Sequence, residues 1–183
     1  NLSIHSIGHQ KEIYAIERIL ARSGANNVLL VGRSGSGRST IAYAFAKKAT
    51  EGRSFANLND KRVLELDMQA VLAGLDTPGE ILERLKIIFS EAVSAGNVIL
   101  IIDEIHNLGI GDAGKNFNLF SLILPYLESS NFQFISSTED DQYAKVVERN
   151  SSFARIFHKV EVPPASIEDT KQIIMEESVE LGR

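Results

Sequence analysis

The chain has 183 residues, 44% hydrophobic and 23% charged, with no cysteine and a net charge of −5 at neutral pH. That balance suits one globular domain, or one and the start of another, with a core that needs no staples. It excludes disulfides, thiolate metal sites and cysteine nucleophiles, and it argues against a dedicated nucleic-acid binder, which presents a basic face.

The amino terminus, NLSIHSIGHQKE, lacks the basic-then-apolar order of a secretory signal. No apolar run approaches the roughly 18 residues that span a bilayer, so neither a membrane nor nucleic acid is expected as a partner. Cytoplasmic, reducing surroundings are the expectation. A chain opening on Asn1 rather than Met is expected to be cut from a longer one. Ile13, Ile16, Ile19 and Leu20 recur at helical spacing and predict an amphipathic helix over 9–22. Five apolar segments of strand length follow: NVLLV (27–31), RVLELD (62–67), NVILIID (97–103), FQFISS (132–137) and FHKVEV (157–162). Helical patterns at 38–50, 79–95, 117–129 and 138–149 lie between most of them. This alternation predicts an α/β fold: a parallel sheet covered by helices on both faces. VILII is continuous rather than alternating, as a central strand buried on both faces should be. Pro163-Pro164 closes the last strand. Ser166 then caps a predicted final helix whose first turn carries Glu168 and Asp169. We expect one αβ unit over 1–164, and over 165–183 the first helix of a helical lid.

Between the first strand and the helix after it lies VGRSGSGRST, residues 31–40. It nearly fits the phosphate-loop pattern Gly-x-x-x-x-Gly-Lys-Ser/Thr, with Arg38 in place of lysine. Glycines at 32, 35 and 37 let backbone N–H groups converge on phosphate oxygens, where the positive end of the next helix also points. The candidate binding residues are Gly32, Arg33, Ser34, Gly35, Ser36, Gly37, Arg38, Ser39 and Thr40, with the Ser39 hydroxyl offered to Mg²⁺. A glycine-rich turn that binds nothing shares this pattern. Asp103-Glu104 ends the VILII strand, at the sheet edge where parallel sheets bind ligands. Asp103 would hold the metal, directly or through water, and Glu104 would polarise an attacking water. His106 reads as a packing or surface residue. Thr138, at the next strand's end, suits either a γ-phosphate contact or the N-cap of the following helix.

These stretches together resemble the AAA+ ATPase core of the Clp family of ring unfoldases, and most of all the first of that family's two ATPase modules. The likeness runs through SIGHQKEI, the loop, RVLELDMQAVLAG, GEILERLK, VILIIDEIH and ARIFHKVEVPPASIEDT, nearly end to end. The resemblance implies a five-stranded sheet of order 5-1-4-3-2 with ATP or ADP and Mg²⁺ bound between subunits of a homo-hexameric ring. It also implies protein clients and leaves room for a partner protease. It carries Ser39 over as magnesium ligand, Glu104 as catalytic base, Thr138 as polar sensor, and Ile7-Gly8 as neighbours of the adenine. Arg155 falls where the family places an arginine finger that reaches a neighbouring subunit's γ-phosphate. The isolated segment is expected to be monomeric.

The sequence departs from the family in several places. Arg38 replaces the lysine, and Ile156 stands where a second arginine is usual. Asp76-Thr77 in GLDTPGE stands where the family has a basic residue and a tyrosine in its channel-facing loop. Two readings follow: a working ATP-driven unfoldase module, or a nucleotide-binding ring subunit with weak or no hydrolysis, serving assembly or regulation. A third, a clamp loader or initiator of the same superfamily, is disfavoured by the acidic composition and GEILERL.

Overall fold

The computed structural model describes residues 9–24, 26–108, 119–128 and 133–164. Ile7, Gly8 and the expected helix within 165–183 lie outside the described residues.

Helix α1, Gln10–Leu20, forms on the expected face, with Ile13, Ile16, Ile19 and Leu20 buried. Strand β1, Asn27–Val31, is buried along its whole length and leads through the loop into α2, Arg38–Thr50. A short α3, Ala56–Asn59, precedes β2, Arg62–Glu65. After it come α4, Met68–Leu72, and α5, Pro78–Ala95. Helix α5 starts sharply for a local reason. Thr77 and Glu80 exchange hydrogen bonds as a capping box, and Pro78 sits at the first helical position, where its fixed φ suits the helix and its missing N–H costs nothing. Strand β3, Val98–Ile102, ends in a turn and a 3₁₀ segment, Ile105–Leu108. Helix α6 is Leu119–Leu127, β4 is Gln133–Thr138 and β5 is Phe157–Glu161.

The five strands form one parallel sheet of order β2-β3-β4-β1-β5, which is the expected order 5-1-4-3-2 counted from the other edge. Because alternate residues of a strand face opposite sides, the sheet feeds two cores. Val28, Leu30, Ile99, Ile101 and Ile135 pack with α1 and α2 on one face. Leu29, Val31, Leu100, Ile102 and Phe134 pack with α5 and α6 on the other. The register aligns the strand ends: Val31 pairs with Thr138, and Ile102 with Ser136. The loop after β1, the turn after β3 and the end of β4 therefore meet at one edge.

The expectation of a single helix over 138–149 is corrected. Only Asp140–Gln142 is α-helical (α7), Tyr143–Val147 winds as a π-helix, and a separate turn of helix, Ser151–Ala154 (α8), leads to β5. The wider turn is closed by Glu148 N–H donating to Tyr143 O at 2.8 Å, and Tyr143, Val146 and Val147 pack against the α5–α6 core.

Candidate functional site

The loop after β1 needs its glycines. A Cβ at Gly32 would lie 2.5 Å from the Val162 carbonyl oxygen and 2.7 Å from Ser36 Oγ, so no side chain fits. Gly35 and Gly37 take φ of 75° and 90°, which L side chains rarely adopt. Gly37 is the N-cap of α2, with no side-chain cap and no acidic residue in the first turn. The N–H groups of that turn have no carbonyl within the helix to bond, so the helix presents free donors and positive potential. Ser36 Oγ is buried with no hydrogen-bond partner among the described residues. Open donors, an orphaned hydroxyl and a cradle too tight for a Cβ fit a bound polyphosphate.

Facing the loop is a carboxylate held from several sides. Ser39 Oγ donates to Asp103 Oδ2 at 2.6 Å, and Ser137 Oγ donates to Asp103 Oδ1. The Glu104 N–H, 3.1 Å from both Asp103 Oδ1 and Ser137 Oγ, completes the knot. Glu104 itself has φ of 47°, the one non-glycine residue with positive φ among those described. Such a backbone persists only where the surroundings over-determine it, and such residues cluster at functional sites. Its side chain is exposed, with Asn107 Nδ2 donating to Oε2 at 3.4 Å. Ser39 and Asp103, the two expected metal ligands, are thus in contact. A hydroxyl and one carboxylate suit Mg²⁺, which takes one or two protein ligands and completes its shell with phosphate and water.

Thr138 lies buried at the end of β4, and its Oγ1 is 3.1 Å from His106 Nδ1. The alternative reading of Thr138 as N-cap does not hold: Glu139 is the N-cap of α7. His106 is buried, which settles its packing-or-surface alternatives. Burial pushes its pKa down, and nearby Arg38 adds to that, while Glu104, Glu139 and Asp141 pull the other way. One turn further along α2 from Ser39, the Tyr43 hydroxyl donates to Glu65 Oε1 at 2.8 Å. Burial, and then Glu65, raise the phenol to about 12.

Arg38 is turned inward. It is 8% exposed, and its Nη1 donates to the carbonyls of Gly32 and of Thr138, the latter at 3.0 Å. Nη2 lies 3.6 Å from Glu139 Oε1.

Beside the loop, along the ends of β2 and β3, runs a cleft of about 760 Å³ lined by Glu65, Asp67, Asp103, Glu104 and Asn107 among others. Its carboxylates repel phosphate and favour a cationic occupant.

Not every expected residue joins this site. Arg155 is exposed in the turn before β5, at the opposite edge of the sheet from the loop. A five-residue strand separates the two edges by roughly 16 Å, so Arg155 cannot serve the site of its own chain. Ile156 turns inward against the α5–α6 core. In the segment GLDTPGE, Leu75 is buried in that same core, and Thr77 is engaged in the α5 cap. The sequence reading missed Ser137, Asn107 and Glu139. The signal for Ser137 was a buried strand ending in three hydroxyl residues, 136–138, since polar side chains in such a place need partners.

A sequence profile of the ATPase family associated with various cellular activities (AAA) matches residues 28–163. The chain is 37% identical over 169 residues to the ATP-dependent Clp protease ATP-binding subunit ClpC of Staphylococcus epidermidis, covering 92% of this chain and 21% of that protein. It is 36% identical over 169 residues to the chaperone protein ClpB of Oceanobacillus iheyensis, with the same coverage, 92% and 21%. It therefore spans about a fifth of the length of these relatives. Among solved structures it is similar to Saccharomyces cerevisiae Hsp104 in complex with casein, with a TM-score of 0.80 and 30% identity over 92% of this chain and 29% of that one. It is similar also to the Hsp104–ADP complex, with a TM-score of 0.80 and 27% identity over 96% of this chain and 31% of that one.

Proposed function

The chain belongs to the AAA family of ATPases, and on that footing we propose that it is the ATP-binding module of a Clp-type unfoldase or chaperone, coupling Mg-ATP hydrolysis to the remodelling of client proteins. The observation that carries this reading is the contact between Ser39 on the loop and Asp103 at the end of β3, at 2.6 Å. It joins a phosphate cradle to a metal-binding carboxylate. Ser39 and Asp103 would hold Mg²⁺, which would supply charge neutralisation at the phosphates. The N–H groups around Gly35–Ser39 hold the phosphates. Glu104 takes a proton from the attacking water. Thr138, held by His106, orients that water or the γ-phosphate.

Arg155 acts on the next subunit, entering where the acidic cleft opens beside Asp103 and Glu104. There it stabilises charge that develops in transfer and adds little to ground-state binding. This division of labour requires a ring, proposed as a homo-hexamer of the full-length protein. The segment alone is then monomeric with little turnover. Similarity to ClpC, named as a subunit of a protease, supports a partner protease as one arrangement. Cytoplasmic placement is consistent with the described helices, none of which is long and apolar enough to cross a membrane.

A second reading, a nucleotide-binding ring subunit with weak hydrolysis, draws on two observations. Arg38 is engaged by the protein itself, and the channel-facing segment has no exposed apolar grip. Arginine keeps the positive charge but is planar and bulkier than the compact ammonium the cradle holds in related loops. Nucleotide binding and turnover measured separately on the full-length protein separate the readings. We expect binding with slow turnover in the wild type, and Arg38→Lys to raise turnover several-fold with a modest change in affinity. Unchanged or lower turnover in that variant would show a loop adapted to arginine.

A further inference from the structure

Arg38 and Glu139 sit on different walls of the site. Arg38 opens α2, and Glu139 directly follows β4. The guanidinium bonds the carbonyls of Gly32 and Thr138, which end two neighbouring strands. The same Thr138 carbonyl lies 3.4 Å from the Gly32 N–H, so one oxygen serves both the arginine and the loop. The second terminal nitrogen faces the Glu139 carboxylate at 3.6 Å. All three acceptors carry negative charge or partial charge, as phosphate oxygens do. One buried cation therefore has two competing sets of acceptors: the strand ends with Glu139, and any polyphosphate in the loop.

We propose that Glu139 is a positioning residue. It holds Arg38 in a retracted position against the ends of β1 and β4, and nucleotide phosphate must draw Arg38 away from it, so that Glu139 tunes how tightly phosphate is held. This rests on the reading of the loop as a nucleotide site. The device needs arginine, because a planar fork can bond two carbonyls while a second nitrogen faces a carboxylate. A lysine ammonium is a single point. A retracted arginine lowers apparent affinity by the fraction of molecules whose cation is available to phosphate. Glu139 is 30% exposed at its side chain, so its hold on Arg38 is moderate and screened by solvent.

The test is equilibrium binding of ATP, ADP and adenosine, with Mg²⁺ for the nucleotides, to the full-length protein. Glu139→Gln keeps the shape and removes the charge. It should tighten ATP and ADP about fivefold, the scale of one partly exposed ion pair, and leave adenosine unchanged. In an Arg38→Lys background the same substitution should change nothing. Glu139→Thr, a short uncharged residue suited to an N-cap, carries the same expectation should the glutamine variant fold poorly. A merely structural role would move the melting temperature, or all three ligands together. Equal shifts for adenosine and ATP, weaker ATP binding, or an unchanged effect in the Arg38→Lys background would each overturn the proposal. A wild-type protein that binds no ATP would instead overturn the site reading on which it stands.

Discussion

The centre of the sheet and its β2 edge use the same residue types for different ends. At the centre, β1 and β3 are buried along their length. Their polar neighbours Ser39, Asp103 and Ser137 are knotted together at the strand ends, and Thr138 beside them pairs with His106. At the edge, β2 is mostly exposed, and Leu64 is 42% accessible. Asp67 there caps α4 by accepting from Ala70 N–H at 3.0 Å, while Thr77 and Glu80 cap α5. An Asp, a Thr and a Glu end helices at the edge. At the centre an Asp and a buried Thr, with an exposed Glu beside them, meet at the ends of apolar strands, where burial raises the worth of the polar contacts that are shielded from water.

The largest contrast should come from the two glutamates. Glu104→Gln should lower ATP turnover by about 10² to 10⁴ while keeping nucleotide binding. Glu80→Gln should leave turnover within error. Steady-state turnover and nucleotide titration on the two variants check this, and equal losses would erase the distinction between site and cap.

Next comes the segment GLDTPGE before α5. Leu75→Ala should cost about 2–5 kcal/mol of stability, because it empties a buried core position. Thr77→Ala should cost about 1 kcal/mol, as loss of a cap does. Denaturant unfolding measures both. If Leu75→Ala leaves stability unchanged but abolishes client unfolding, then Leu75 leaves the core to grip clients.

The smallest effect is one of pH. Burial lowers the His106 pKa below its ordinary 6.5. The unfolded chain therefore takes up a proton near pH 6.5 that the folded one accepts only at lower pH. Stability is unaffected by this group above about pH 7, falls as pH drops below about 6.5, and levels off once the folded imidazole is protonated. His106→Gln should flatten that part of the pH profile. A wild-type profile already flat between pH 5 and 7 would contradict the assignment.

Much of this was legible in the sequence because the central strands announce themselves. NVLLV and VILII are short, continuous and apolar, and every residue of both is buried. The helix over 38–50 has the bounds expected of it, Arg38–Thr50. Less legible was whatever depends on long-range partners. The π-helical turn at Tyr143–Val147 packs against the α5–α6 core, and no local propensity encodes its wider winding. Arg38 could be read as a departure from a motif, but its inward turn depends on Thr138 and Glu139, about a hundred residues away. Leu75 stands in a polar stretch of the sequence, GLDTPGE, yet it is buried in the core with residues of α5 and α6.

The central claim, that the ends of β1, β3 and β4 form a magnesium–nucleotide site, is tested most directly by ATP binding to the full-length protein with and without Mg²⁺, in the wild type and in Ser39→Ala. The account predicts that Mg²⁺ tightens binding to the wild type. Ser39→Ala should lose most of that increment while keeping the metal-independent binding that the loop's N–H groups provide. Binding that is indifferent to Mg²⁺ in the wild type, or a Ser39→Ala variant with an undiminished Mg²⁺ response, would contradict it.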